Sequence, residues 1–140
     1  MAYLLDTCAL SELTKPQINQ GFLVWFKQQE AKDLFVSSMT LGELEKGVLK
    51  LPSSRKRAAL MGWLSEVEQG FGQQCLGFDR PAAKTWATMN AELEKKGLKM
   101  AAFDSIIAAI ASHHQLTLVT RNVKDFTATP VELLNPWHSQ

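Results

Sequence analysis

The chain has 140 residues, 46% of them hydrophobic and 21% charged, which suits one globular domain with a real core and excludes disorder. Fifteen basic and 14 acidic residues leave a formal net charge of +1, so any nucleic-acid contact has to come from local clusters. No apolar run approaches the roughly 20 residues that span a bilayer, no signal peptide opens the chain, and Cys8 and Cys75 lack metal-type spacing, so a single soluble domain over residues 1–140 in a reducing cytoplasm is expected.

The first element is a buried strand from about Ala2 to Asp6, in which Tyr3-Leu4-Leu5 runs straight into a carboxylate. A short helix near Leu10–Lys15 follows and is stopped by Pro16. Asn19 can cap the next helix, which carries Phe22, Leu23 and Phe26 on one side. Leu34-Phe35-Val36 reads as a second strand ending at Ser37-Ser38. Thr40 then opens a helix whose Leu41, Leu44 and Val48 form a core stripe. After the Leu51–Ser54 turn, a longer helix runs to about Glu68, with Gly70 and Gly72 marking its end. Cys75–Phe78 is a weak third strand. Asp79 caps a helix with Pro81 in its first turn, which stops at Gly97. Ala101–His114 is the most apolar helix, Leu116–Thr120 a clear strand, Arg121–Asp125 a turn, and Val131–Leu134 a last strand. Strands alternating with helices predict an α/β three-layer sandwich around a mainly parallel sheet of four to five strands.

Several carboxylates stand out against this framework. In open α/β sheets, ligands sit outside the carboxyl ends of the strands, which is where Asp6 points. Asp6 can also simply cap the helix behind it. Asp104 sits near the start of a helix that is apolar nearly all round; it either complements the helix dipole or is compensated by a cation. Glu43 fits a capping box with Thr40, and it also borders the Leu41/Leu44/Val48 stripe, where it can line a cleft. Asn122 and Asp125 follow a strand and are ordinary turn residues, or they face the same cavity as Asp6. Three or four acids brought together would repel one another without a cation. Mg²⁺ and Mn²⁺ prefer such oxygen ligands and suit phosphodiester hydrolysis.

These residues match a known pattern. Tyr3-Leu4-Leu5-Asp6-Thr7, the segment Val36 to Gly47 around Glu43, Phe103-Asp104 with Ile107-Ala108-Ala109, Leu118 to Phe126, and Asn135-Pro136-Trp137 occur in order over nearly the whole chain. The chain resembles a PIN-domain ribonuclease of the VapC toxin type, in the FitB-like branch. The resemblance implies that Asp6, Glu43 and Asp104 are catalytic, with Asp6 and Asp104 holding Mg²⁺ or Mn²⁺. A fourth acid of that pattern is replaced by Asn122, with Asp125 as a substitute, and Cys8 stands where an Asn is usual. The resemblance also implies a homodimer, a cognate antitoxin protein, and a structured RNA substrate such as tRNA or rRNA. Arg121, Lys124 and the Lys95/Lys96/Lys99 cluster are candidate phosphate contacts. Two functions follow: a metal-dependent endoribonuclease acting as the toxin of a type II toxin–antitoxin pair, or a catalytically weak module on the same scaffold that binds RNA or a protein. Restoring the fourth acid discriminates between them.

Overall fold

The structure, a computed structural model, describes residues 1–138. Among these residues five strands form one parallel sheet in the order β3-β2-β1-β4-β5. They are β1 (Tyr3–Leu5), β2 (Leu34–Ser37), β3 (Cys75–Leu76), β4 (Thr117–Val119) and β5 (Leu133–Leu134). The helices are α1 (Thr7–Glu12), α2 (Gln20–Lys27), α3 (Ser38–Leu49), α4 (Arg55–Phe71), α5 (Arg80–Lys95) and α6 (Ala102–His113). None of the helices among the described residues is long and apolar enough to cross a membrane.

Successive strand side chains point to opposite faces, and the sheet's two cores follow from that alternation. Leu4 and Leu118 face α5 and α6, together with Met89, Leu93, Ile107 and Ile110. Leu5, Val36 and Val119 face the opposite layer, with Leu10 of α1 and Phe22 of α2. Leu41 and Leu44 of α3 and Trp63 of α4 pack against this second core. The result is the expected helix–sheet–helix sandwich. α6 explains its own composition: Ile107 through Ala111 are fully buried, and three of those five residues are alanines, which let the helix lie close.

The strand order reverses beside β1. β2 lies on one side of it and β4 on the other, with Leu4 paired to both Phe35 and Leu118. This switch point opens a crevice at the carboxyl ends of the strands. Asp6 sits there, its backbone N–H donating to Val119 O at 3.0 Å.

Two helix starts differ from expectation. α1 begins at Thr7 rather than near Leu10, because Asp6 ends the strand and caps the helix in one residue. α3 begins at Ser38, with Ser37 as its cap and the Ser37 hydroxyl accepting from Met39 N. The Thr40–Glu43 capping box therefore does not form. β2 stays extended through Ser37 to pair with Leu76, and the helix must start at the next residue. Thr40 lies in the first turn of α3, fully buried, with its hydroxyl unpartnered. At the other helix ends Asn19 and Asp79 cap α2 and α5 as their sequence positions suggest, and Ser54, the last residue of the preceding turn, caps α4. α4 continues to Phe71, past the expected Glu68, and Gly72 closes it at φ +52°, a conformation glycine adopts at no steric cost.

Candidate active site

The site is assembled from three elements. β1 delivers Asp6, which is only 7% exposed. Its two oxygens are separately held: Oδ1 accepts from Thr7 N at 2.8 Å, and Oδ2 accepts from the Thr120 hydroxyl at 2.8 Å. Thr120, fully buried at the end of β4, in turn accepts from Asn122 N at 3.1 Å. A relay of two hydrogen bonds thus ties the turn after β4 to the carboxylate after β1. Burial pushes the Asp6 carboxyl above its ordinary value; the Thr120 and Thr7 bonds oppose this, and the charge of Glu43 adds to it.

Glu43 comes from the second turn of α3. Freed from the capping role, its side chain lines the cavity. Asp104 comes from the first turn of α6, whose cap, Ala101, makes no side-chain hydrogen bond. Burial raises the Asp104 carboxyl, and the charges of Asp6, Asp125 and Glu43 raise it further. These mutual effects report that acids far apart in sequence share one electrostatic environment.

Asp6, Glu43 and Asp104 line one cavity of about 380 Å³, together with Asn122, Lys15 and Arg121. Asn122 therefore occupies the cavity, whereas Asp125 lines an adjoining one of about 550 Å³ that also includes Asp104, Lys99 and Lys124. Lys95 and Lys96 line neither cavity. Lys95 lies 3.8 Å from Glu92, and Lys96 borders a separate hollow of about 660 Å³ between α5 and Ala128–Pro130. Of the basic residues singled out in the sequence, Arg121 is in the acidic cavity, Lys99 and Lys124 are next to it, and Lys95 and Lys96 are elsewhere.

Cys8 is partly buried in the wall of the same cavity. Its sulfur accepts from Arg121 N at 3.4 Å and lies 3.9 Å from Asp6 Oδ2. Burial and the neighbouring Asp6 charge raise the thiol, while the Arg121 N–H opposes them, so the group stays a neutral thiol near pH 7. Thr120 supplies the firm bond to Asp6 that a thiol at this distance does not.

Sequence reasoning missed Glu12. Its side chain is 1% exposed and accepts from Asn19 N at 2.9 Å, Trp137 Nε1 at 2.9 Å and Lys15 Nζ at 3.0 Å. Arg121 Nη2 lies 3.4 Å away. Burial alone would raise the carboxyl, but these donors outweigh it and hold it at about 2. Nothing local marks the residue, since a six-residue helix shows no clear face and two of its partners lie over a hundred positions away.

The donor set fits a hydrated divalent cation. All of its acids are hard oxygen ligands, and Asp6 and Asp104, raised first by burial, are raised further by the neighbouring acids, a repulsion that a cation would relieve. Among the described residues no three His, Cys, Asp or Glu side chains close into a ready-made cage. Mg²⁺ needs no such cage, because it keeps most of its waters and takes one or two carboxylates. The arrangement does not suit zinc, which is held by compact tetrahedral nitrogen and sulfur sets.

Known proteins share this architecture. Toxin FitB of Neisseria gonorrhoeae is 35% identical over 136 residues, covering 96% of this chain and 98% of its own. The VapC ribonuclease Y4jK of Sinorhizobium fredii is 31% identical over 134 residues, covering 95% and 96%. The crystal structure of FitAcB from Neisseria gonorrhoeae superposes with a TM-score of 0.91 at 35% identity, covering 97% of this chain and 99% of that one. The PIN domain family model spans residues 3–131, from the first residue of β1 to the approach to β5, and so takes in every acid of the cavity: the chain belongs to the PIN-domain family.

Proposed function

We propose that this protein is a metal-dependent endoribonuclease, the toxin of a type II toxin–antitoxin pair, working as a single domain in the cytoplasm. The observation that carries the reading is the convergence of Asp6, Glu43 and Asp104, from three separate elements, on one cavity. Two relatives of similar length are named as a toxin and a ribonuclease, which supports it. Asp6 and Asp104 would hold Mg²⁺ or Mn²⁺, with Glu43 completing the acidic wall. The bound cation would supply an activated water and charge neutralisation at the scissile phosphate. The chain's own contribution is positional. Thr7 N and Thr120 Oγ1 fix both oxygens of Asp6, leaving their remaining lone pairs for the cavity. The reaction adds water across one P–O bond of a structured RNA, with tRNA or rRNA as the substrate class. A homodimer and a cognate antitoxin that covers the cavity complete the reading.

The test is cleavage of a total RNA pool by antitoxin-free protein with Mg²⁺, with Mn²⁺ and with chelator. Asp6→Asn and Asp104→Asn proteins, shown to be folded by circular dichroism, run beside it. Metal-dependent cutting lost in both variants is the expected result. Cutting that survives in both would place the chemistry elsewhere and end the proposal.

A further inference from the structure

The acidic cavity has two cations on its lining, Lys15 and Arg121, yet among the described residues neither pairs with Asp6, Glu43 or Asp104. This distribution needs a cause. Opposite charges sharing a small cavity attract, and long flexible side chains ordinarily collapse onto such acids. Here both cations are drawn instead to one buried carboxylate, Glu12, at 3.0 and 3.4 Å. Glu12 is itself locked by Asn19 N and Trp137 Nε1, so it cannot follow the cations outward. The Arg121 guanidinium is steadied a second time by the Trp137 ring, 5.2 Å from its centroid. Both cations keep donors free: the Lys15 side chain is 44% exposed and the Arg121 side chain 47%.

A single carboxylate shared by two cations leaves one net positive charge at the rim. A guanidinium and an ammonium with unused donors are the side chains that recognise phosphate oxygens. We propose that Glu12 is a positioning residue, holding Lys15 and Arg121 on the rim of the acidic cavity as a two-cation clamp for an RNA phosphate and keeping both off Asp6, Glu43 and Asp104. The inference rests on the ribonuclease reading for its ligand, and to Arg121, already a candidate phosphate contact, it adds Glu12 and Lys15, to which the sequence gave no role. The acids stay open for a cation while the phosphate meets positive charge beside them.

The experiment measures binding of a short fluorescein-labelled single-stranded RNA by anisotropy, in chelator, over a salt series. Counterion release makes log affinity fall with log salt by about 0.7 for each phosphate contacted on a single strand. Lys15→Gln and Arg121→Gln are each expected to flatten the parent's slope by about 0.7. Glu12→Gln should flatten it too, although it makes the protein one charge more positive, because the released cations turn to Asp6 and Glu43. A residue with a merely structural role would leave the slope unchanged, or steepen it through the added charge. If Glu12→Gln does not fold, Glu12→Asp replaces it, since it withdraws the charge by one methylene while keeping its sign.

Parental slopes in both cation variants, an unchanged or steeper slope in the Glu12 variant, or a parent that does not bind RNA would each overturn the clamp. The ribonuclease reading fails separately. A parent that binds with the expected slope but never cuts in Mg²⁺ or Mn²⁺ removes that reading and leaves the clamp standing.

Discussion

Removing the charge of Glu12 should cost stability in a way that depends on pH. In the fold this carboxyl is held at about 2, against an ordinary 4.5. At about 1.4 kcal/mol for each tenfold change in proton affinity, that difference is worth about 3 kcal/mol. Glu12 itself is 1% exposed, but Lys15 and Arg121 are 44% and 47% exposed and solvent screens their share, so the figure is an upper bound. A carboxyl lowered on folding stabilises the native state above its unfolded value and loses that contribution as pH falls. Glu12→Gln keeps the shape and an acceptor oxygen but has no charge to lose. The parent should therefore exceed the variant by at most about 3 kcal/mol near pH 7, and the gap should narrow between pH 4.5 and about 2. Domains are typically stable by about 5–15 kcal/mol, so the variant should still fold at neutral pH. Urea unfolding of the antitoxin-free proteins, followed by circular dichroism at several pH values, measures the gap directly. With a urea slope of about 2 kcal/mol per molar, the neutral-pH midpoints should differ by up to about 1.5 M. Asp6 and Asp104 are raised on folding and push the opposite way as pH falls; cations released onto Asp6 weaken that push in the variant, so the gap closes by less than the Glu12 carboxyl alone would give. A gap that stays constant across the acid range would show that the Glu12 charge is not what its partners stabilise.

Two further substitutions probe the relay and the fourth position. Thr120→Val removes the hydroxyl that donates to Asp6 and accepts from Asn122 N. A bond to a charged group contributes about 1.5–3 kcal/mol, and its loss lets the Asp6 carboxyl rise further. The variant should melt at lower temperature, and the acid limb of its pH–cleavage profile should shift upward; an unmoved limb would remove Thr120 from the site. Asn122→Asp adds a carboxylate to the cavity. It should lower the metal-free melting temperature, strengthen the stabilisation by Mn²⁺ and raise cleavage; if Mn²⁺ stabilises parent and variant equally, the missing fourth acid is not what limits the site.

Much of the fold was legible in the sequence because its signals are local. Leu4-Leu5 before Asp6, the unbroken apolar run of α6, and the caps Asn19 and Asp79 each act within a few residues of themselves. Alternating strands and helices then restrict the chain to a parallel sheet covered on both faces. Glu43 shows where local reading fails. Ser37 and Thr40 both carry hydroxyls suited to a cap, and only the pairing of Ser37 with Leu76 decides that the first one takes the role. That pairing frees the Glu43 carboxylate for the cavity.

The sequence by itself determined which residues are acids, which segments are strands and helices, and that Asp6, Glu43 and Asp104 were the acids to follow. Only the tertiary structure decided what those acids face. The reversal of strand order at β1 sets β4 beside it, and so brings Thr120 to Asp6 across 114 positions. Packing against the second core brings Trp137 to Glu12, and Arg121 joins it there, so that a residue with no distinguishing local pattern gathers four donors. Strand order and core packing are settled by contacts summed over the whole chain, and no window of sequence contains them.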